Sequence, residues 1–298
     1  MNKYTNTKLL GHLTILVACI IWGLMAPLGK DAMNHGISGI DLVTFRVVGS
    51  MACFWVFGWI THQGEPVAWR DRLLFAGAGL FGIVTNQCCF TIGLSLTAPT
   101  NASIMTTTMP IVTLLLTTFV LHERLTWRKM LGVALGISGA LILIMHSKSA
   151  TESRSGNLLG DLLVFGAQCS FALYLTLFKQ LIARYKVFTC MKWMMLWAVV
   201  MVCPFTGAHV IQLPWSEIPA SAWWECAFVV FLGTFIGYIM MMNAQKILRP
   251  TVVAMYNYVQ PIVACLVSVA AGLATFGMPQ AAAIVMIFTG VYLVTQRR

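Results

Sequence analysis

Pro99-Thr100-Asn101-Ala102-Ser103-Ile104-Met105-Thr106-Thr107-Thr108-Met109-Pro110-Ile111-Val112 decides how this chain folds. Its punctuation returns 151 positions later as Pro250-Thr251 and Pro261-Ile262-Val263. Both copies lie in apolar segments of helix length, and in both a proline stands mid-segment, where it removes a backbone donor and loosens the turn before it. In hydrocarbon such a proline survives where neighbouring helices or side chains satisfy the carbonyl it frees, which suits a helix buried in protein or lining a cavity. Pro110 and Pro261 therefore read as hinge positions in a pair of equivalent central helices.

Working outward, the whole chain has the composition of a polytopic membrane protein. Of its 298 residues 59% are hydrophobic and only 9% charged, with a mean hydropathy of +0.82. Such a chain cannot present the polar surface that a soluble globule of this size needs. The net charge of +10 forms no basic stripe or reader domain, which argues against a nucleic-acid partner. Nine cysteines fall almost entirely within apolar runs, without metal-ligand spacing, so neither a metal nor another cofactor is expected. The first apolar run is about a bilayer's worth long and is followed by more, so it reads as a retained helix rather than a signal peptide.

Spanning-length apolar stretches fall at 9–29, 38–60, 72–93, 98–121, 127–146, 160–179, 187–206, 222–245, 250–273 and 278–296. Charge tests the count. With a cytoplasmic N-terminus, the inside segments hold 14 of the 19 Lys and Arg residues and the outside joints hold Lys30, Lys148 and Arg154. That bias follows the positive-inside rule and puts both termini in the cytoplasm.

The repeat extends beyond the prolines. Gly11 and Lys30 correspond to Gly160 and Lys179, and Gly82, Pro99, Pro110 and Gly139 correspond to Gly233, Pro250, Pro261 and Gly290. The predicted organisation is a first repeat at 1–146, a polar linker at 147–159 and a second repeat at 160–298. Five helices per half is an odd number, so the second half must cross in the opposite sense. The expected fold is an all-α polytopic membrane protein of ten transmembrane helices in two inverted five-helix repeats. Such proteins hold a substrate near the midplane between their halves and expose it alternately to either side.

Trp22-Gly23, Lys30 closing helix one, Arg46 in helix two, the mid-helix proline of helix four and Glu123-Arg124-Leu125-Thr126 after it resemble the EamA family of the drug/metabolite transporter superfamily. The resemblance covers essentially the whole chain. The second copy departs from it, with Ala274 opposite Glu123 and Phe171 opposite Trp22. The resemblance implies a ten-helix bacterial inner-membrane transporter, commonly an exporter of amino acids or related metabolites; the expected partners are the lipid bilayer and a small-molecule substrate, with the chain a monomer or homodimer.

Counting depth along each helix brings a polar set to the midplane: Trp22, Asn86, Gln87, Thr106, Thr107, Thr108, Gln168, Tyr174, Tyr238, Tyr256, Asn257, Tyr258 and Gln260. Amides and hydroxyls in hydrocarbon need partners, so this set forms either interhelical glue or a wet cavity. The candidate substrate contacts are Trp22, Asn86, Gln87, Thr107, Tyr174, Tyr238, Tyr256, Asn257 and Gln260, which would suit a small amphiphilic solute. Arg46 and Lys192 are embedded; each either snorkels or holds an anion, and Arg46 is the possible anion contact. The anion would be a substrate carboxylate or phosphate, and a phosphorylated or lipid-linked cargo, the alternative to an amino acid, would make Arg46 its ligand. Glu123 is expected in a structural ion pair beside Arg124 and Arg128.

No carboxylate falls at mid-depth, so a deep proton relay is not expected. Gly77-Ala78-Gly79-Leu80-Phe81-Gly82 fits the dinucleotide fingerprint by letter but lies inside an apolar helix with no preceding strand, and reads as helix packing. Gly36-Ile37-Ser38-Gly39 and Gly136-Ile137-Ser138-Gly139 suggest an intramembrane serine hydrolase, but no histidine falls deep in a helix opposite either serine. The chain is not expected to be an enzyme.

Overall fold

Ten helices of the computed structural model are long and apolar enough to cross a membrane: α1 (Thr7–Asn34), α2 (Gly39–Ile60), α3 (Trp69–Leu96), α4 (Ala102–Val120), α5 (Trp127–Met145), α6 (Leu158–Leu177), α7 (Val187–Ile211), α8 (Ala220–Ile247), α9 (Pro250–Val267) and α10 (Met278–Thr295). The structure describes residues 3–62, 64–97, 99–145, 157–270 and 276–296. The linker core and Ala274 lie outside that set. Local chemistry starts several helices where they begin. Ser38 caps α2 through a reciprocal pair with Asp41, Asn157 accepts from the Leu159 amide at 2.9 Å to open α6, and Pro250 occupies the first turn of α9.

The two central helices break where the prolines demand it. Pro110 has no N–H to give, and the turn before it tightens: the Ile111 amide reaches the Thr108 carbonyl at 3.0 Å instead of Thr107. The freed Thr107 carbonyl accepts the Tyr258 hydroxyl at 3.2 Å, as a membrane-embedded break requires. In α9 the helix likewise tightens to 3₁₀ at Tyr256–Tyr258 before resuming at Val259.

α3 and α8 carry a matching irregularity. Each widens into π-helical turns, at Leu80–Thr85 and Val229–Ile236. Wide turns leave carbonyls that side chains must satisfy. The Gly82 carbonyl accepts the Tyr238 hydroxyl at 3.2 Å, the Gly233 carbonyl accepts Trp22 Nε1–H at 2.8 Å, and Ser170 donates to Phe81 at 2.7 Å. The glycine stretch ahead of the α3 turn packs other helices, as expected: a Cβ on Gly79 would stand 2.8 Å from the Met194 carbonyl.

Equivalent positions of the two repeats touch each other. Trp22 meets Phe171 edge-on at 6.4 Å, Gln87 bonds Tyr238, and Thr107 bonds Tyr258. α5 and α10 cross at Gly132 against Gly290 and at Gly139 against Ala283, which are repeat equivalents exchanged; a Cβ on Gly132 would lie 2.7 Å from the Gly290 carbonyl. As numbers rise along α5 they fall along α10, so these equivalent helices run antiparallel where they meet. The same exchange relates Gly160 against Thr97 to Gly11 against Leu248. Two charged groups singled out in the sequence find these partners. Glu123 pairs with Lys129, at 2.8 Å, rather than with Arg124 or Arg128, and Lys192 lies over the Trp55 ring at 4.1 Å.

Candidate functional site

A cavity of about 110 Å³ opens where the repeat-related pairs meet. It is room for several waters or the head of a small solute. α1 gives it Trp22 and Met25, α2 Arg46, α3 Asn86, Gln87 and Phe90, and α4 Thr106 and Met109. From the second repeat come Gln168 and Phe171 of α6, Tyr238 of α8, and Asn257 and Gln260 of α9.

Most of the polar lining is oriented by bonds between the repeats. Asn86 donates to the Ala167 carbonyl at 2.9 Å. Gln87 Nε2 donates to the Tyr238 hydroxyl at 3.3 Å, leaving Gln87 Oε1 buried without a donor among the described residues. Gln260 Nε2 donates to Asn257 Oδ1 at 3.0 Å, and the Asn257 amide lies against Met109 Sδ. Arg46, 7% exposed, donates through Nε to Thr234 Oγ1 at 3.0 Å. Among the described residues no carboxylate pairs with it.

Of the candidate contacts, Trp22, Asn86, Gln87, Tyr238, Asn257 and Gln260 come together on this cavity and three do not. The Thr107 hydroxyl turns back to the Ile104 carbonyl at 2.7 Å, and its neighbour Thr106 faces the cavity instead. Tyr174 is fully buried and donates to Gln245 Oε1 at 3.0 Å. Tyr256 shares a hydrogen bond of 2.9 Å with His12 Nδ1. Met25, Phe90, Met109 and Phe171 also line the cavity, and their apolar side chains carry no signal that separates them from ordinary core. The prolines themselves are not among the lining residues; Pro110 is buried just behind Met109.

The serine motifs find no nucleophile geometry. Ser38 Oγ–H donates to Asp41 Oδ2 at 2.5 Å, and His209 meets the other oxygen of Asp41 at 2.8 Å. The carboxylate thus stands between serine and histidine, where a nucleophile needs the histidine beside it. Ser138 faces outward from α5.

Fold and cavity define a class: a ten-helix membrane protein of two repeated five-helix units enclosing a polar pocket. The EamA-like transporter family model matches residues 9–145 and 158–296, and the chain belongs to that family. It is similar to the uncharacterized transporter YyaM of Bacillus subtilis (strain 168), 26% identical over 68% of this chain and 67% of that one. It is also similar to a probable terminal-alkyne amino-acid exporter of Streptantibioticus cattleyicolor, 24% identical over 76% and 73% of the two chains. A solved crystal structure superposes with a TM-score of 0.75 at 18% identity, covering 97% of this chain and 96% of the other. The chain is therefore a membrane transporter of the drug/metabolite transporter superfamily.

Proposed function

We propose that this transporter exports an amino acid or a related small metabolite by alternating access between two halves inverted across a bacterial inner membrane, with both termini in the cytoplasm. The observation that carries the reading is the cavity itself, enclosed where Trp22 meets Phe171 and Gln87 meets Tyr238, so that both repeats grip whatever lies between them. The antiparallel crossing of α5 and α10 supports the inverted arrangement. The relative named as an amino-acid exporter supports the substrate class. Asn257 lies within the α9 break and Gln260 just after it, where rocking of one half would change the separation of Asn257 from Met109. Asn257→Ala and Gln260→Ala should each lower counterflow of cargo in proteoliposomes by tenfold or more, about 1.4 kcal/mol. Unchanged kinetics in both variants would remove the pocket from the transport path.

A second reading has one observation in its favour. The unpaired Arg46 guanidinium is a ready ligand for a phosphate ester, and a carrier of phosphorylated compounds would show counterflow with those cargoes and none with amino acids.

A further inference from the structure

Two side chains that line the cavity, of opposite polarity, each keep polar atoms without a partner among the described residues, and each is held by the second repeat. The first is Arg46. Its Nε donates to Thr234 Oγ1 at 3.0 Å, and the proton of Thr234 goes on to the Val229 carbonyl, in the π-helical segment of α8, at 2.9 Å. That chain anchors Nε, while the terminal N–H groups of Arg46 bond to nothing among the described residues. An uncompensated cation in a low-dielectric interior is costly, so this site favours an anion from outside the chain.

The second group is Gln87 Oε1. Gln87 is 2% exposed, and its amide orientation is determined rather than chosen. Tyr238 has one hydroxyl proton, which it gives to the Gly82 carbonyl in the π-helical turn of α3. The remaining lone pairs of that hydroxyl accept Gln87 Nε2–H. Flipping the amide would set two acceptors against each other, so Oε1 is held as an acceptor with no donor of its own. Arg46 and Gln87 line the same cavity, with Tyr238 beside them in its lining.

We infer that the cargo is bipolar, seating an anionic group on the terminal nitrogens of Arg46 and an N–H donor, best an ammonium, on Gln87 Oε1. The inference deepens the reading of this cavity as a metabolite site and rests on it. A plain carboxylic acid satisfies Arg46 but strands Gln87 Oε1. A plain amine satisfies Gln87 but adds a second positive charge beside Arg46. Only a molecule carrying both groups meets both demands, and Gln87 becomes the residue that separates an amino acid from its deaminated acid. The apolar remainder of the cargo rests on Trp22 and Phe171.

The test uses the full chain in proteoliposomes and three matched probes for each of several side chains, alanine to phenylalanine: the α-amino acid, its deaminated acid and its decarboxylated amine. Wild-type protein should move at least one amino acid about ten- to a hundredfold better than either relative, the range of a hydrogen bond to a charged group. Gln87→Met should bring the deaminated acid level with the amino acid. Arg46→Gln should abolish movement of both acids. Should Gln87→Met fail extraction, Gln87→Glu supplies the readout, since a negative charge there should slow movement of the deaminated acid at least tenfold while the decarboxylated amine gains, and no change in either would overturn the assignment of Gln87. Persistence of the amino-acid preference in Gln87→Met, or equal wild-type transport of acid and amino acid, overturns the bipolar site while leaving the carrier reading intact. Wild-type protein that folds and moves none of the panel overturns both.

Discussion

Glu123 and Lys129 form an ion pair of 2.8 Å whose side chains are only 14% and 8% exposed. Just before Glu123, at the end of α4, His122 takes a left-handed φ of 51°, and the joint that follows brings Lys129 of α5 back onto Glu123. Breaking one side of a buried pair leaves the other charge stranded, at about 3–5 kcal/mol. Glu123→Gln should therefore destabilise the protein in detergent by about 3 kcal/mol, read from the denaturation midpoint, and Glu123→Gln combined with Lys129→Met should cost less than either change alone. Additive losses would show that the pair is solvated after all. The second repeat has Ala274 at the matching position, so no equivalent pair can form there. Residue-scale reading also had a definite limit at the cavity. Counting along a helix gives depth but not azimuth, and the tightened turn at Thr107 and Thr108 rotates the threonine run, so that Thr106 faces the pocket and Thr107 does not.

At the scale of the helix, the breaks in α4 and α9 were legible because proline's missing donor is a covalent property that no tertiary context restores. The π-helical turns were not. Nothing in Leu80–Thr85 or Val229–Ile236 marks an i→i+5 turn, which forms only because Tyr238, Trp22 and Ser170 arrive from elsewhere to satisfy the carbonyls it exposes. Pro110→Ala restores an N–H that bonds back to the Thr106 carbonyl and straightens α4, weakening the Thr107–Tyr258 contact between repeats. We expect that variant to be as stable as wild type in detergent, or more so, yet several-fold slower in proteoliposome flux. Flux at the wild-type rate would show that the break is structural and not a hinge.

At the scale of the whole molecule, the proposed inversion of the two halves makes a prediction about sidedness. Thr61 and Gln212 occupy equivalent joints, after α2 and after α7, and both are exposed. In a variant lacking the nine native cysteines, Thr61→Cys should label from the cytoplasm and Gln212→Cys from the opposite side, with Lys8→Cys and Gln296→Cys both cytoplasmic. Labelling of Thr61→Cys and Gln212→Cys from one compartment would refute inversion. Span number and repeat equivalence came from the sequence alone, because bilayer thickness sets helix length and a duplicated chain keeps its prolines and glycines in step. Which side chains share the pocket was decided only in three dimensions. Gln87 and Tyr238, or Trp22 and Phe171, are about 150 residues apart, and helix rotation and the carbonyls freed at irregular turns determine whether such groups bond each other, face the cavity or disappear into the core.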